Sequence, residues 1–327
     1  MFKGYINRRW LIPFVVTLLL SSAPAAVPAI PELLMAGRVD EAVASLRGRL
    51  QGSPNDAETY GLLLRAHFWA NQWDQAIEAG LKATALAPNN SEHHLYLGRA
   101  YGEKASRASW LSAVSLAKKC RAEFERAVEL NGNSVDARAD LAEFYASAPS
   151  IIGGGKDKAR AQADALEKIG QLGKAHWVRA SLAESDKDFA LAEQEHRAAV
   201  QTAPNSADSW TALAAFLGRR QRFDEMDAAL RQAQQVAERA RYPGAMLDCA
   251  QLLLKNEHNL DTAAALLRGY ISGPLHNESA PVFKAHYLLG RVLEKKGDRQ
   301  GAATAYKSAL ALASGYEPAR SALDKLR

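Results

Sequence analysis

"AETYGLLLRAHFWANQWDQAIEAGLKATALAPNN", residues 57–90, decides the fold. Its apolar positions recur at helical spacing twice: Tyr60, Leu63, Leu64 and His67 on a first segment, then Ala76, Ile77, Gly80 and Ala83 on a second. Pro88 and the asparagines after it close the second segment, so the stretch is a helix–turn–helix unit of 34 residues. Alanine and glycine at three of the second-segment positions let neighbouring helices approach to about 8–10 Å, where the bulky side chains of the partner fill the space.

The pattern recurs on both sides. In "HHLYLGRAY" (93–101) Leu97, Gly98 and Tyr101 take the first-helix places, and Phe124 and Ala127 take the second-helix places of the same unit. Ala192, Ala199 and Pro204 repeat it with His196 at the usual aromatic place. Trp210 opens another unit, a weaker one runs from Pro243 through Ala263 and Leu267, and Gly290, Ala302, Tyr306 and Ala309 end the series. Alanine and leucine dominate and β-branched runs are scarce, which favours helix throughout.

This 34-residue unit resembles the tetratricopeptide repeat. The resemblance implies an all-α fold, a right-handed superhelical α-solenoid of about eight stacked units over residues 26–316, with residues 317–327 as a C-terminal capping helix. The inner face of that helix would be Ala319, Ala322, Leu323 and Leu326, covering the apolar end that stacking otherwise exposes. "EFYASAPSIIGGGKDKA", with "YLGRAYGEKA" before it, also resembles a subset of exported bacterial members of the family.

Two adjacent units break the period. Residues 91–134 span 44 positions, with the surplus around "GEKASRASWLSAVSLAKKC", and the following unit carries "SIIGGGKDKA" in the corresponding place. Both insertions should meet on one edge, with Trp110, Leu111 and Val114 in an apolar cluster against Ile151 and Ile152.

The first 25 residues are organised differently. Lys3, Arg8 and Arg9 precede "WLIPFVVTLLL" and a small-residue segment with an A-x-A site at Ala23–Ala25, the layout of a cleavable export signal. The apolar run is shorter than the about 20 residues a membrane span needs. Its removal takes three of 41 basic residues and none of 36 acidic ones, leaving +2, without the basic excess of a nucleic-acid binder. The expected location is the periplasm or the exterior, with no integral span after cleavage.

Catalytic patterns fail one by one. Gly155-Lys156 lacks the glycine of a phosphate loop at Ser150 and its Ser/Thr at Asp157, and no strand precedes it. His93 and His94 point to different faces, His176 and His196 fall at packing positions, and neither H-E-x-x-H nor C-x-x-C occurs. No cofactor, metal or enzymatic activity is expected. Cys120 and Cys249 lie four units apart, roughly 40 Å at about 10 Å per unit, beyond the about 7 Å a disulfide allows. Both are expected reduced and buried.

The resemblance places a protein or peptide partner in a concave groove lined by first helices. The candidates are Arg65, Phe68, Trp69, Tyr96, Arg99, Glu103, Asp136, Asp140, Glu143 and Trp177, a surface running from basic and aromatic to acidic. The asparagines of the family's carboxylate clamp are missing from the matching places. Two alternatives stand beside this reading: a small-ligand or enzymatic site on the Gly-rich edge at 150–158, and a component of an envelope assembly machine.

Overall fold

Alanine-rich amphipathic segments form helices along the whole of residues 29–326, which the computed structural model describes; the expected export signal lies outside them. The helices pair consecutively. α1 (Ile30–Met35) packs with α2 (Val39–Gly52), α3 (Ala57–Trp69) with α4 (Trp73–Leu86), α5 (Ser91–Ala105) with α6 (Trp110–Leu130), and α7 (Val135–Ser147) with α8 (Lys156–Lys168). The series continues with α9 (Leu172–Ser185) on α10 (Phe189–Thr202), α11 (Ala207–Arg219) on α12 (Phe223–Ala240), and α13 (Gly244–Lys255) on α14 (Leu260–Ser272). α15 (Val282–Lys295) packs on α16 (Arg299–Leu312), and α17 (Glu317–Lys325) follows. Among the described residues there is no strand, and no helix is long and apolar enough to cross a membrane.

One turn recurs inside the regular pairs. A residue with left-handed backbone, Gly37, Asn71, Lys187, Gln221, Glu257 or Gly297, follows the first helix, and its own amide and the next one return to the helix's last carbonyls, as Asn71 N to Phe68 O and Gln72 N to His67 O do. The pairs α5/α6 and α7/α8 lack this turn. In the first, α6 grows to 21 residues against 14 in α4; in the second, a 3-10 turn at Ser150–Ile152 and three glycines precede α8. The insertions do meet: the Arg121 guanidinium of α6 donates to Ile152 O at 3.1 Å.

Close helix approach is visible at the predicted small residues. A Cβ on Gly98 would lie 2.6 Å from a ring carbon of Phe124, and one on Gly80 would lie 2.9 Å from Leu97 Cδ1. Cys120 and Cys249 are buried and unbridged, and burial pushes each thiol up to about 12.

The array closes on itself, which the repeat pattern did not foretell. Gly37, after α1, approaches the start of α15 so closely that a Cβ would sit 2.8 Å from Val282 N and 3.3 Å from Phe283. Ser314 N donates to Asp40 Oδ2 at 2.8 Å, and Phe283, Tyr316 and Ala319 share one buried cluster with Leu33, Leu34 and Leu46. α17 therefore does not simply cap an open end: Tyr316 and Ala319 help seal the end of the array to its beginning, while Leu323 packs on the C-terminal core. Stacked units each add a small rotation, and here the sum brings the last unit back to the first.

An ion pair ties this closure. Arg65 of α3 donates Nε and Nη2 to Glu278, 213 residues away in the segment before α15, at 2.8 and 2.5 Å. Burial opposes the Arg65 charge, but the hydrogen bonds and charge of Glu278 outweigh it and raise the guanidinium's pKa. Reversal of either partner, Arg65→Glu or Glu278→Arg, should lower the urea midpoint. The double reversal should recover part of the loss, with a coupling on the order of 0.5–3 kcal/mol. Additive single effects would show that the pair does not hold the ends together.

Candidate functional site

The first helices α7, α9, α11 and α13 line an open cavity of about 770 Å³ on their common side. Asp136, Lys174, Trp177, Asp208, Tyr242 and Asp248 are its chemically distinctive walls. Their places on the helices explain the charge: Glu58, Glu92, Asp136 and Asp208 are each the second residue of a first helix, where a carboxylate also meets the positive end of the helix dipole. Lys174 Nζ lies 5.2 Å from the Trp177 ring centre.

The basic end of the expected groove is spent on structure. Arg99 donates Nε to Asp140 at 2.5 Å and Nη2 to Asp136 at 3.4 Å, and Arg65 reaches Glu92 at 3.0 Å besides Glu278. Tyr96 lies between the two guanidinium groups, at 5.5 Å from Arg65 and 5.1 Å from Arg99. Burial works against the Arg99 charge, but Asp140 more than offsets it and raises the guanidinium's pKa. Phe68 is not an outward position: it is 8% exposed and packs edge-on against Trp69, Trp73 and Tyr96. Phe68 is buried by its own unit and the next: Trp69 lies on α3, Trp73 opens α4 and Tyr96 lies on α5.

Glu103, Asp140 and Glu143 look into the interior together, and residues not singled out by sequence face them. Burial lowers the Lys284 ammonium's pKa on α15, against the opposing pull of Asp248 on α13 and Glu103 on α5. Burial also raises the Asp248 carboxyl, helped by Asp208. Both Asp248 and Glu143 touch water yet stand within the concavity, so they are wet but shielded from bulk solvent. Carrying the register of Asp136 on to α11 would have found Asp208. Glu278 had no such signal, because closure brings it to Arg65, and closure likewise sets Lys284 near Glu103.

The edge built by the insertions is a second cleft, of about 910 Å³. Trp110, Val114, Ile151 and Ile152 form its apolar walls, and Arg99, Glu103, Asp140 and Glu143 reach its floor. The closed cluster expected here is therefore open: Ile152 is 9% exposed, whereas Trp110 is 73%, Leu111 78% and Ile151 80% exposed. A 3-10 turn has about three residues per turn, so neighbours project about 120° apart and only one isoleucine can turn inward.

The glycines are not an anion cradle. Gly153 N donates to Ser150 O and Gly154 N to Pro149 O, closing the 3-10 turn, and Gly155 N donates to Tyr145 O at the end of α7, so no amide of the three is left for a phosphate. Lys156 pairs with Asp186, and Lys158 Nζ donates to Gly153 O at 3.1 Å. The expected histidine roles are structural: His176 bonds Glu195 at 2.6 Å and His196 bonds Glu184 at 3.0 Å. No cluster of three or more metal-ligating side chains occurs among the described residues.

Paired helices at this period, with first helices facing a common interior, define an α-helical repeat solenoid. Family models described as tetratricopeptide repeat match residues 33–100 and 283–316, so the chain carries tetratricopeptide repeats toward both ends of this solenoid. No curated protein matches it. Among solved structures it is similar to a thermophilic tetratricopeptide repeat protein of Thermus thermophilus, at 20% identity over 58% of this chain and 99% of that one, TM-score 0.47. It is also similar to a tetratricopeptide repeat protein of Parabacteroides merdae, at 14% identity over 91% and 98% of the two chains, TM-score 0.43. Yeast Tom70 matches at 12% identity over 91% and 88%, TM-score 0.38.

Gly154 measures how firmly the insertion edge is built. A side chain there would run into Ala148 O, and Gly153 next to it has φ +93° with Arg121 filling the space over it. Gly154→Ala should cost about 1–3 kcal/mol in urea unfolding. A change within error would mean that this loop is loosely held.

Proposed function

We propose that the protein is a non-catalytic scaffold that holds a protein or peptide partner against its inner first-helix faces, and that the partner's contacting segment is basic. The observation that carries this reading is the charge balance of the 770 Å³ cavity: three carboxylates, Asp136, Asp208 and Asp248, line it against one ammonium, Lys174, and the cations that reach in from beside it, Arg99 toward Asp136 and Lys284 toward Asp248, leave Asp208 without an ion pair among the described residues. The arginines that a mixed-charge groove would have offered are already paired with Glu278, Glu92 and Asp140. Trp177 and Tyr242 add the flat aromatic surface on which a cationic or apolar side chain packs well. The repeat family supports a scaffold rather than an enzyme, and the spent glycine amides weigh against a phosphate-binding site on the 150–158 edge.

Reversing Arg65 or Arg99 would test folding more than binding, so the probe belongs elsewhere. Partner capture from an envelope extract should fall about ten-fold or more with Asp136→Lys plus Asp208→Lys, both exposed positions, while the Tm drops by only a few degrees, because each carboxylate faces a positive helix end and Asp136 also meets Arg99 at 3.4 Å. Equal capture by the double variant would overturn the inner-face assignment.

We also propose that the scaffold is exported, which the charged, apolar and small-residue order of residues 1–25 supports. Expressed in a Gram-negative host, the chain should be recovered from the periplasm with its N-terminus just after Ala25 or a nearby alanine. A cytoplasmic product that retains Lys3 would overturn the export reading.

A further inference from the structure

We propose that the cleft between the lengthened α6 and the Ser150–Ile152 turn is a second docking site, for a peptide segment of a partner protein that carries large apolar side chains and one basic side chain. It rests on the scaffold reading for the kind of partner and adds a site that the regular units do not have. Ile151, Leu111 and Trp110 are the three most exposed large apolar side chains among the described residues; the next, Leu81, is 50% exposed. All three stand on the edge created by the two insertions, and Trp110 and Ile151 line the same cleft, with Val114, Phe124, Phe144 and Ile152 beneath them. Three such side chains left in water beside a concave apolar surface are what an absent apolar partner would cover.

The charge on the floor selects the partner's sign. Of its four charged groups, Arg99 is held by Asp140 and Glu103 by Arg107 at 2.6 Å. Glu143 has no ion pair among the described residues, and the surrounding protein together with Asp140 and Glu103 raises its carboxyl pKa, so a cation placed there would relieve both burial and repulsion. The floor carries one positive and three negative side chains, so the complementary occupant is cationic where it reaches in and apolar where it meets the walls.

The walls are also preformed. The amides of Gly153 and Gly154 close the turn on itself, that of Gly155 ties it to the end of α7, and Arg121 ties it to α6, so little ordering is left to be done on binding. An anionic membrane surface is the less favoured occupant. Carboxylates line the floor, and Arg107, Arg121 and Lys158 beside the cleft are already engaged by Glu103, Ile152 O and Gly153 O.

The test uses a random dodecamer peptide library, panned on the purified full-length chain against the Trp110→Asp, Ile151→Asp double variant as counter-selection. Enriched peptides should combine large apolar residues with lysine or arginine. A synthetic one should bind each single Asp variant about ten-fold or more weaker, in line with loss of an interface anchor. Glu143→Gln should weaken the lysine peptide several-fold and leave its norleucine analogue unchanged, which separates the charge contact from packing. Trp110 and Ile151 are exposed, so their Asp variants should keep the wild-type Tm.

No enrichment over the double variant, enrichment of acidic peptides, or equal binding by the Asp variants would overturn the proposal. So would sedimentation with equimolar phosphatidylcholine–phosphatidylglycerol vesicles that depends on Trp110 and Ile151, which would assign the edge to a membrane. If Asp136→Lys plus Asp208→Lys abolishes peptide binding while the Asp variants do not, the peptide lies in the inner groove. The scaffold reading would then survive and the cleft would fall.

Discussion

The close helix crossings of the array depend on a large side chain seated where its neighbour has none. Phe124 lies over Gly98, Leu97 over Gly80, and Tyr306 over Gly290, each too close to admit a Cβ. Helices held at that distance leave few choices of crossing geometry, because side-chain ridges must fall into grooves. The recurring left-handed residue after the first helix then sets the return angle within each regular pair. Pair geometry repeated along a chain becomes curvature, and curvature determines what the first helices face.

In this protein the curvature runs to closure, and closure changes what the inner side chains do. Arg65 is an interior arginine of the second unit by its own register, yet its strongest partner is Glu278. Arg99 is likewise neutralised within the array by Asp140. Exposed ion pairs contribute only about 0–1 kcal/mol, but Arg65–Glu278 is bidentate and partly buried, the geometry in which such pairs are strongest. Once these cations are paired, the interior that remains is acidic.

The two irregular units act differently from the rest. They lack the standard inter-helix turn, and the chain they add builds an edge with its own cleft: a lengthened α6 on one side and a glycine-bounded 3-10 turn on the other. Glycine is required at two places there: Gly153 for its positive φ, and Gly154 for its approach to Ala148 O. The amides that might have invited an anion are consumed in closing the 3-10 turn and ending α7, so a loop that looks chemical in sequence is architectural in the fold.

Helix positions, pairing and the odd units were legible in the sequence, because all of them rest on contacts between residues a few turns apart or in adjacent units. Asp136, Asp140, Glu143 and Trp177 were found by the same local register. The burial of Phe68 under Trp69, Trp73 and Tyr96 and the exposure of Trp110 and Ile151 were not legible, since each depends on how side chains of adjacent units are placed, and the pairing of Arg65 depends on where a distant segment arrives. By itself the sequence determined the repeating unit, through small residues at helix crossings and turn residues at their ends. Only the tertiary structure decided that the ends meet and that the interior is acidic, because the sum of many small inter-unit rotations is written in no single unit.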